Sequence, residues 1–213
     1  MECMIEIENL SLTMKKQLIL SDINLSFEKG KIHGLIGRNG SGKTMLMKCI
    51  LGFIRPSQGT IWVDHKRIGK EVDFPPHTGV IIETPGFIPH YSGYKNLKVL
   101  AELNGKIDKK QIIHTMELVG LNPNLKRPVK KYSLGMRQRL GIAQAIMEEP
   151  NLLVLDEPFN GLDADGVLQM RKLLLEKKAL GTTILLSSHN AEDIETLCDT
   201  VSRMEQGKVL RNA

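Results

Sequence analysis

Little in this sequence invites a disulfide, a protein-built metal site or a stack of bases. Cysteine occurs three times, at Cys3, Cys49 and Cys198, an odd number with wide spacing and no CxxC pair. That usage fits a reducing compartment and argues against both a disulfide framework and a zinc ribbon. The six histidines show no HxH or HExxH spacing, which argues against a metal held by protein ligands alone. Aromatic residues make up only 4%, so there is little to stack on bases and no nucleic-acid partner is expected. The net charge of +5 then suits a protein that binds polyphosphates or sits near anionic lipid. No apolar run nears the roughly 18 to 20 residues that cross a bilayer. The opening MECMIEIENL has acids where a signal peptide has lysines, and no apolar stretch follows. A cytoplasmic protein is expected, and if it works at a membrane another chain supplies the membrane part.

The 213 residues, 41% hydrophobic and 25% charged, suit a single globular domain with a sizeable core. Three short segments read as buried strands: KIHGLIG (31–37), NLLVLD (151–156) and TTILLSSH (182–189). Each ends in residues able to do chemistry, and in parallel α/β sheets ligands gather at the carboxyl ends of strands, so the three ends are expected to share one crevice. The first 30 residues and roughly 57–72 carry β-branched residues and turn glycines, the pattern of antiparallel strands at one side. The stretch from about 85 to 132 is helical in pattern. Leu97, Leu100 and Ala101 share one face, and DKKQIIHTMELVG opens with a D-x-x-Q capping box at Asp108 to Gln111 and closes on Gly120. A further helix starts at Ser133, carries Met136, Leu140, Ala143 and Met147 on one face, and stops before Pro150.

GRNGSGKT (37–44) satisfies G-x-x-x-x-G-K-[ST] with a strand before it and a helix after it. Gly37, Gly40 and Gly42 let the backbone turn tightly and aim N–H groups at phosphates. Lys43 reaches the β and γ phosphates, and Thr44 is placed to ligate Mg²⁺. The expected binding stretch is Gly37, Arg38, Asn39, Gly40, Ser41, Gly42, Lys43, Thr44 and Met45. LLVLDEP supplies Asp156 for the ion, held through water, and beside it Glu157, either a base for an attacking water or a solvated strand end. His189, at the end of the third strand, is placed to hydrogen-bond the γ-phosphate or the water. Ninety residues separate Lys43 from Ser133, yet KKYSLGMRQRLG is a second anion site in outline: a free serine at a helix start, a glycine and nearby bases.

GRNGSGKT, YSLGMRQR, LLVLDEP, NGLD and SSH, in this order and spacing, resemble the nucleotide-binding subunit of ABC transporters over nearly the whole chain. The resemblance implies a P-loop NTPase: a mostly parallel α/β core, an N-terminal antiparallel β subdomain and a helical subdomain inserted at about 85–134, all one domain over 1–213. It implies ATP and Mg²⁺ as ligands. It makes Ser133 and Gly135 the signature residues that touch the γ-phosphate, Glu157 the base, Asp163 an aspartate at a dimer interface and His189 the switch histidine. In this family two copies pack head to tail, so that each ATP lies between one copy's glycine loop and the other's signature helix. Separate transmembrane permease subunits seat coupling helices on the helical insert, and the subunit is peripheral on the inner face of the membrane.

Three departures stand out. The signature usually reads LSGGQ; here Leu134 and Met136 replace a glycine and the glutamine, while Ser133 and Gly135 are intact. The aromatic that usually stacks on adenine aligns with Met14, and a thioether grips a base less tightly, so looser base selectivity is expected. The family's Q-loop glutamine falls at Glu83, which still offers oxygen to Mg²⁺ but loses the amide donor and adds negative charge near the triphosphate. IIETPGF, YSLGMRQRLGIA and TTILLSSH together are similar to the bacitracin-resistance and lantibiotic-immunity branch of exporters; another small drug or lipid exporter is the alternative. Glu83 to Tyr91 would form the hinge of the insert. The basic run LKRPVKK (125–131) suits a membrane partner, lipid headgroups or a solvated face equally. A G protein would need N-K-x-D, which is absent, and an adenylate-type kinase lacks a signature helix. A DNA-repair ABC ATPase needs a long coiled coil that ninety residues cannot hold, and a translation-factor type carries each motif twice.

Overall fold

The computed structural model describes residues 2–83, 85–105 and 107–210. β1 (Cys3–Met14) and β2 (Gln17–Glu28) form a long hairpin. Its two-residue tip, Lys15 and Lys16, has both φ angles positive, the turn whose twist matches the flanking strands. β3 (Ile32–Ile36) runs through the glycine loop into α1 (Lys43–Ile50), and β4 (Gln58–Val63), β5 (Lys66–Arg67) and β6 (Thr78–Ile81) follow. Next come α2 (Gly93–Asn104), α3 (Lys109–Leu118), a 3-10 turn at Val129–Lys131 and α4 (Leu134–Ile146). β7 (Leu152–Asp156), α5 (Ala164–Ala179), β8 (Thr183–Ser187), α6 (Ala191–Leu197), β9 (Thr200–Glu205) and β10 (Lys208–Leu210) complete the order.

Two sheets result. The N-terminal one is antiparallel, β2-β1-β4-β5; the other runs β10-β9-β3-β8-β7-β6, parallel from β9 to β6 with β10 antiparallel at the edge. The three strands expected from their apolar runs are β3, β7 and β8, and they lie side by side. β6, β9 and β10 are additional. β6 is a four-residue edge strand just after two prolines, and β9 is largely exposed, so neither carries the apolar run that marks a strand buried on both faces. Alternate residues of the central strands serve two cores. Leu153, Leu155, Ile184 and Leu186 pack with α2 to α5. Leu152, Val154 and Leu185 pack with α1 and the antiparallel sheet.

The helical stretch follows its sequence with one change. Leu97 and Ala101 are buried as the spacing requires. Asp108 caps α3 by accepting from the Gln111 N–H at 2.8 Å. The other half of the expected capping box is not formed: the Gln111 side chain, rather than accepting from the Asp108 N–H, is turned so that its NH₂ donates to the Glu149 carboxylate at 3.4 Å.

One buried polar side chain joins β3 to the elements beside it. His33 Nε2 donates to the Glu28 carbonyl at 2.9 Å, so Nδ1 accepts from the Thr200 hydroxyl at 2.6 Å. Burial pushes the His33 pKa below its ordinary 6.5. The unfolded chain therefore takes up this proton first, so the neutral ring's contribution is full above the ordinary value and is lost as pH falls through it. The melting temperature is expected to drop between about pH 8 and pH 5.5, with a shallower slope in His33→Gln, as followed by circular dichroism.

Candidate active site

The loop after β3 delivers an open helix end. Gly42, the N-cap of α1, has φ 106°, and no side chain caps the helix nor does any acid stand in its first turn. A side chain here would also strike Leu20, since a Cβ would lie 2.7 Å from its Cδ2. The first N–H groups of α1 thus stay open to an anion. Ser41 is buried, and its hydroxyl has no partner among the described residues. The Lys43 ammonium donates to the Gly37 carbonyl at 2.7 Å and, more weakly, to that of Arg38. Arg38, Asn39 and Gly40 form an exposed rim, while Met45 packs into the core beneath.

A cavity of about 330 Å³ over this loop is lined by residues 39–45 with Ile19, Asp156 and Glu157. Uncapped N–H groups, a buried hydroxyl without a partner and a lysine together fit a polyphosphate. Met14 stands at the β1–β2 tip, 41% exposed, and does not line the cavity; Ile19 of β2 does. Looking for one replaced aromatic passes over Ile19, an apolar residue in a half-exposed strand position, which was its only signal.

The expected cation ligands divide. Thr44 Oγ1 donates to Asp156 Oδ2 at 2.6 Å, and Ser187 Oγ donates to Asp156 Oδ1, also at 2.6 Å. This pair of hard oxygens suits Mg²⁺. Glu83 does not line the cavity that Thr44 and Asp156 share, and its carboxylate is paired with Lys48 of α1.

Glu157 and His189 do come together, with Nδ1 2.8 Å from Oε2. A carboxylate only accepts, so Nδ1 carries the proton, and Nε2 has no hydrogen bond among the described residues. Further residues, given no role by the motif reading, hold this pair. The Ser187 hydroxyl receives the Glu157 N–H at 3.0 Å. Gln138 of α4, buried, donates to the Pro158 carbonyl at 2.8 Å. Behind His189, the Ser188 hydroxyl donates to Asp193, whose other oxygen accepts from the buried Arg171 at 2.9 Å. Ser187 and Ser188 were visible within SSH; Gln138 and Arg171 carry no local signal because their partners are distant in sequence.

α4 begins as its sequence implied. Ser133 is exposed, and its hydroxyl accepts from the Met136 N–H at 3.1 Å. Leu134 is 54% exposed. Gly135 presses on the next loop, where a Cβ would stand 2.7 Å from the Gly161 carbonyl oxygen. Asp163 caps α5 through the Gly166 N–H at 3.0 Å and is otherwise exposed.

Residues 20–160 match the family described as ABC transporter. The chain is 44% identical over 216 residues to the bacitracin transport ATP-binding protein BcrA of Enterococcus faecalis, covering 99% of this chain and 69% of that one. It is 38% identical to the lantibiotic transport ATP-binding protein SrtF of Streptococcus pyogenes, covering 97% and 89%. A solved ATP-binding subunit of an ABC transporter superposes with a TM-score of 0.88 at 29% identity, covering 99% and 89%. Glycine loop, Asp-Glu pair and histidine meet at three neighbouring strand ends, and the chain belongs to the ATP-binding subunits of ABC transporters, an ATPase of that family.

Proposed function

We propose that this chain powers an exporter that clears antimicrobial peptides from a bacterial membrane, working as a head-to-tail pair beneath separate transmembrane subunits. The observation that carries the pairing is the placement of α4. Its N-terminus presents Ser133 and Leu134 to solvent, and no residue of α4 lines the cavity over the chain's own glycine loop. Ser133 uses a lone pair on Met136 and keeps its proton to donate. With the positive end of the helix behind it, that hydroxyl suits the γ-phosphate of an ATP held by a second copy. Gly135, packed against Gly161, and the exposed Asp163 would join the same contact with the second copy.

In this reading the N–H groups of residues 40–45 and the Lys43 ammonium bind the phosphates, with Met14 and Ile19 toward the base. Thr44 and Asp156 would hold Mg²⁺, with Glu83 drawn toward it, and the ion would supply charge neutralisation at the phosphate oxygens. Glu157 takes the proton of the attacking water on Oε1, since Oε2 is engaged with His189. His189 fixes that carboxylate through Nδ1 and meets the γ-phosphate or the water through Nε2.

Residues 85–134 then serve as the subdomain that receives the permease. A cleft of about 580 Å³ between the end of α1, α2 and α4 supports this, lined among others by Phe53, Phe74, Pro75, Leu100, Leu103 and Met147. Phe53 is 54% and Leu103 78% exposed, an apolar surface that suits a partner helix. Among the described residues no helix is long and apolar enough to cross a membrane, consistent with a subunit held at the inner face by its permease. The names of the relatives, bacitracin and lantibiotic transport proteins, support peptides as the cargo.

Steady-state ATP hydrolysis by the protein is expected to fall at least about a hundredfold in Glu157→Gln. The same variant with Mg-ATP should elute as a dimer on size exclusion, and a monomer there would sink the sandwich. A host expressing the chain with its permease should gain resistance to bacitracin or a lantibiotic, and Phe53→Asp should abolish both that resistance and co-purification with the permease.

A further inference from the structure

Glu83 is the one expected cation ligand that does not line the cavity over the glycine loop, and the structure gives it a partner. Lys48 Nζ lies 2.6 Å from Glu83 Oε1. Lys48 is four residues beyond Thr44 on α1, about 6 Å along the axis, so the two side chains leave the same side of the helix. Its stem is largely covered, 22% exposed, whereas the Glu83 side chain is 64% exposed. The lysine is therefore the fixed half of the pair and the glutamate the movable half. Glu83 also holds φ 57°, a backbone conformation uncommon for a residue with a side chain. Two residues on, the Pro85 ring abuts α4 at Gly141, where a Cβ would stand 2.6 Å from it. The loop is thus clasped to α1 at Glu83 and seated on the signature helix at Pro85.

A glutamine at position 83 would be neutral and would need no counter-ion. The carboxylate does need one, and it has two candidates on the same side of α1: the Lys48 ammonium or the divalent cation at Thr44 and Asp156. We propose that Lys48 is a positioning residue that holds Glu83 in a withdrawn position, so that Mg²⁺ and Lys48 compete for one carboxylate. This rests on the reading of Glu83 as a residue drawn toward the cation. An exposed ion pair is weak enough to be exchanged. By linkage, binding of Mg-nucleotide loosens the clasp, and a tighter clasp weakens Mg-nucleotide binding by the same factor.

The test is a double-mutant cycle on the full chain, read by binding rather than by turnover. Fluorescent ADP would be titrated with Mg²⁺ in the parent, Lys48→Met, Glu83→Gln and the double variant. Lys48→Gln gives a second lysine-free comparison should the Met variant fold poorly. Relative to the same change made on Glu83→Gln, Lys48→Met is expected to shift the Mg²⁺ midpoint about two- to fivefold lower. Lys48→Arg, which keeps the charge, should restore the parent midpoint. An equal effect of Lys48→Met in both backgrounds would overturn the competition while leaving Glu83 as a ligand. A Glu83→Gln variant with the parent's Mg²⁺ dependence would overturn both the competition and the reading of Glu83 on which it rests.

Discussion

The site depends on the Asp156 carboxylate, which accepts from Thr44 on one oxygen and from Ser187 on the other. Register explains why these meet. Asp156 is paired with Ser187 across β7 and β8, and it has the parity of Leu152 and Val154, which face α1. The side-chain period of a strand is two, so a slip of one residue would turn Asp156 to the opposite core and break the link. The tight apolar packing of both faces thus holds a polar contact in place at the strand ends. From Ser187 the chain of bonds continues to the Glu157 backbone, and from the Glu157 side chain to His189. One carboxylate therefore ties α1, β7 and β8 into a single constellation.

α4 is the second organising element, because it touches both the loop after β7, which carries Glu157, and the loop after β6, which carries Glu83. Gln138 holds the Pro158 carbonyl just beyond Glu157. Gly135 meets Gly161, and Gly141 meets Pro85. Arg139 donates to the Val119 carbonyl at 2.7 Å and to Gln169 at 2.6 Å, fastening α4 to the end of α3 and to α5. Two of the loop contacts need a glycine and the third a buried amide, so α4 has little freedom to slide without disturbing its neighbours. A displacement of this helix would be felt at position 85 and beside Glu157 together.

The sequence disclosed those parts whose signal is local. The glycine loop, Asp156 with Glu157, and His189 lie at the ends of continuous apolar runs, so the strands and their chemistry were read together. Ser133 was legible as a cap because its partner is three residues away. What escaped was long-range or unpatterned. Gln138 finds Pro158 twenty residues on, and Arg171 finds Asp193 twenty-two residues on; neither spacing has a periodicity to read. Lys48 looked like any solvated helix lysine until the fold brought Glu83 to it across 35 positions. Ile19, which lines the cavity over the glycine loop, had no signal beyond its place in a half-exposed strand position. Gln111 shows the reverse error, a local motif half undone by a distant carboxylate.

The two anion sites differ in how far each is satisfied by its own chain. At α1 the N-cap has no side-chain bond and Ser41 lacks a partner among the described residues, so donors buried there gain directly from a phosphate. At α4 the serine already caps its helix, and what remains is one hydroxyl proton and a helix dipole. The first site has several open donors of its own, while the second has one hydroxyl proton left to offer. In the proposed pair this asymmetry sets the order of events: each glycine loop takes its own nucleotide first, and the negative charge gathered there then draws the signature helix of the other copy. Association driven in that way depends on the γ-phosphate, since the donor at Ser133 has little else to meet, and loss of that group removes the contact that holds the pair.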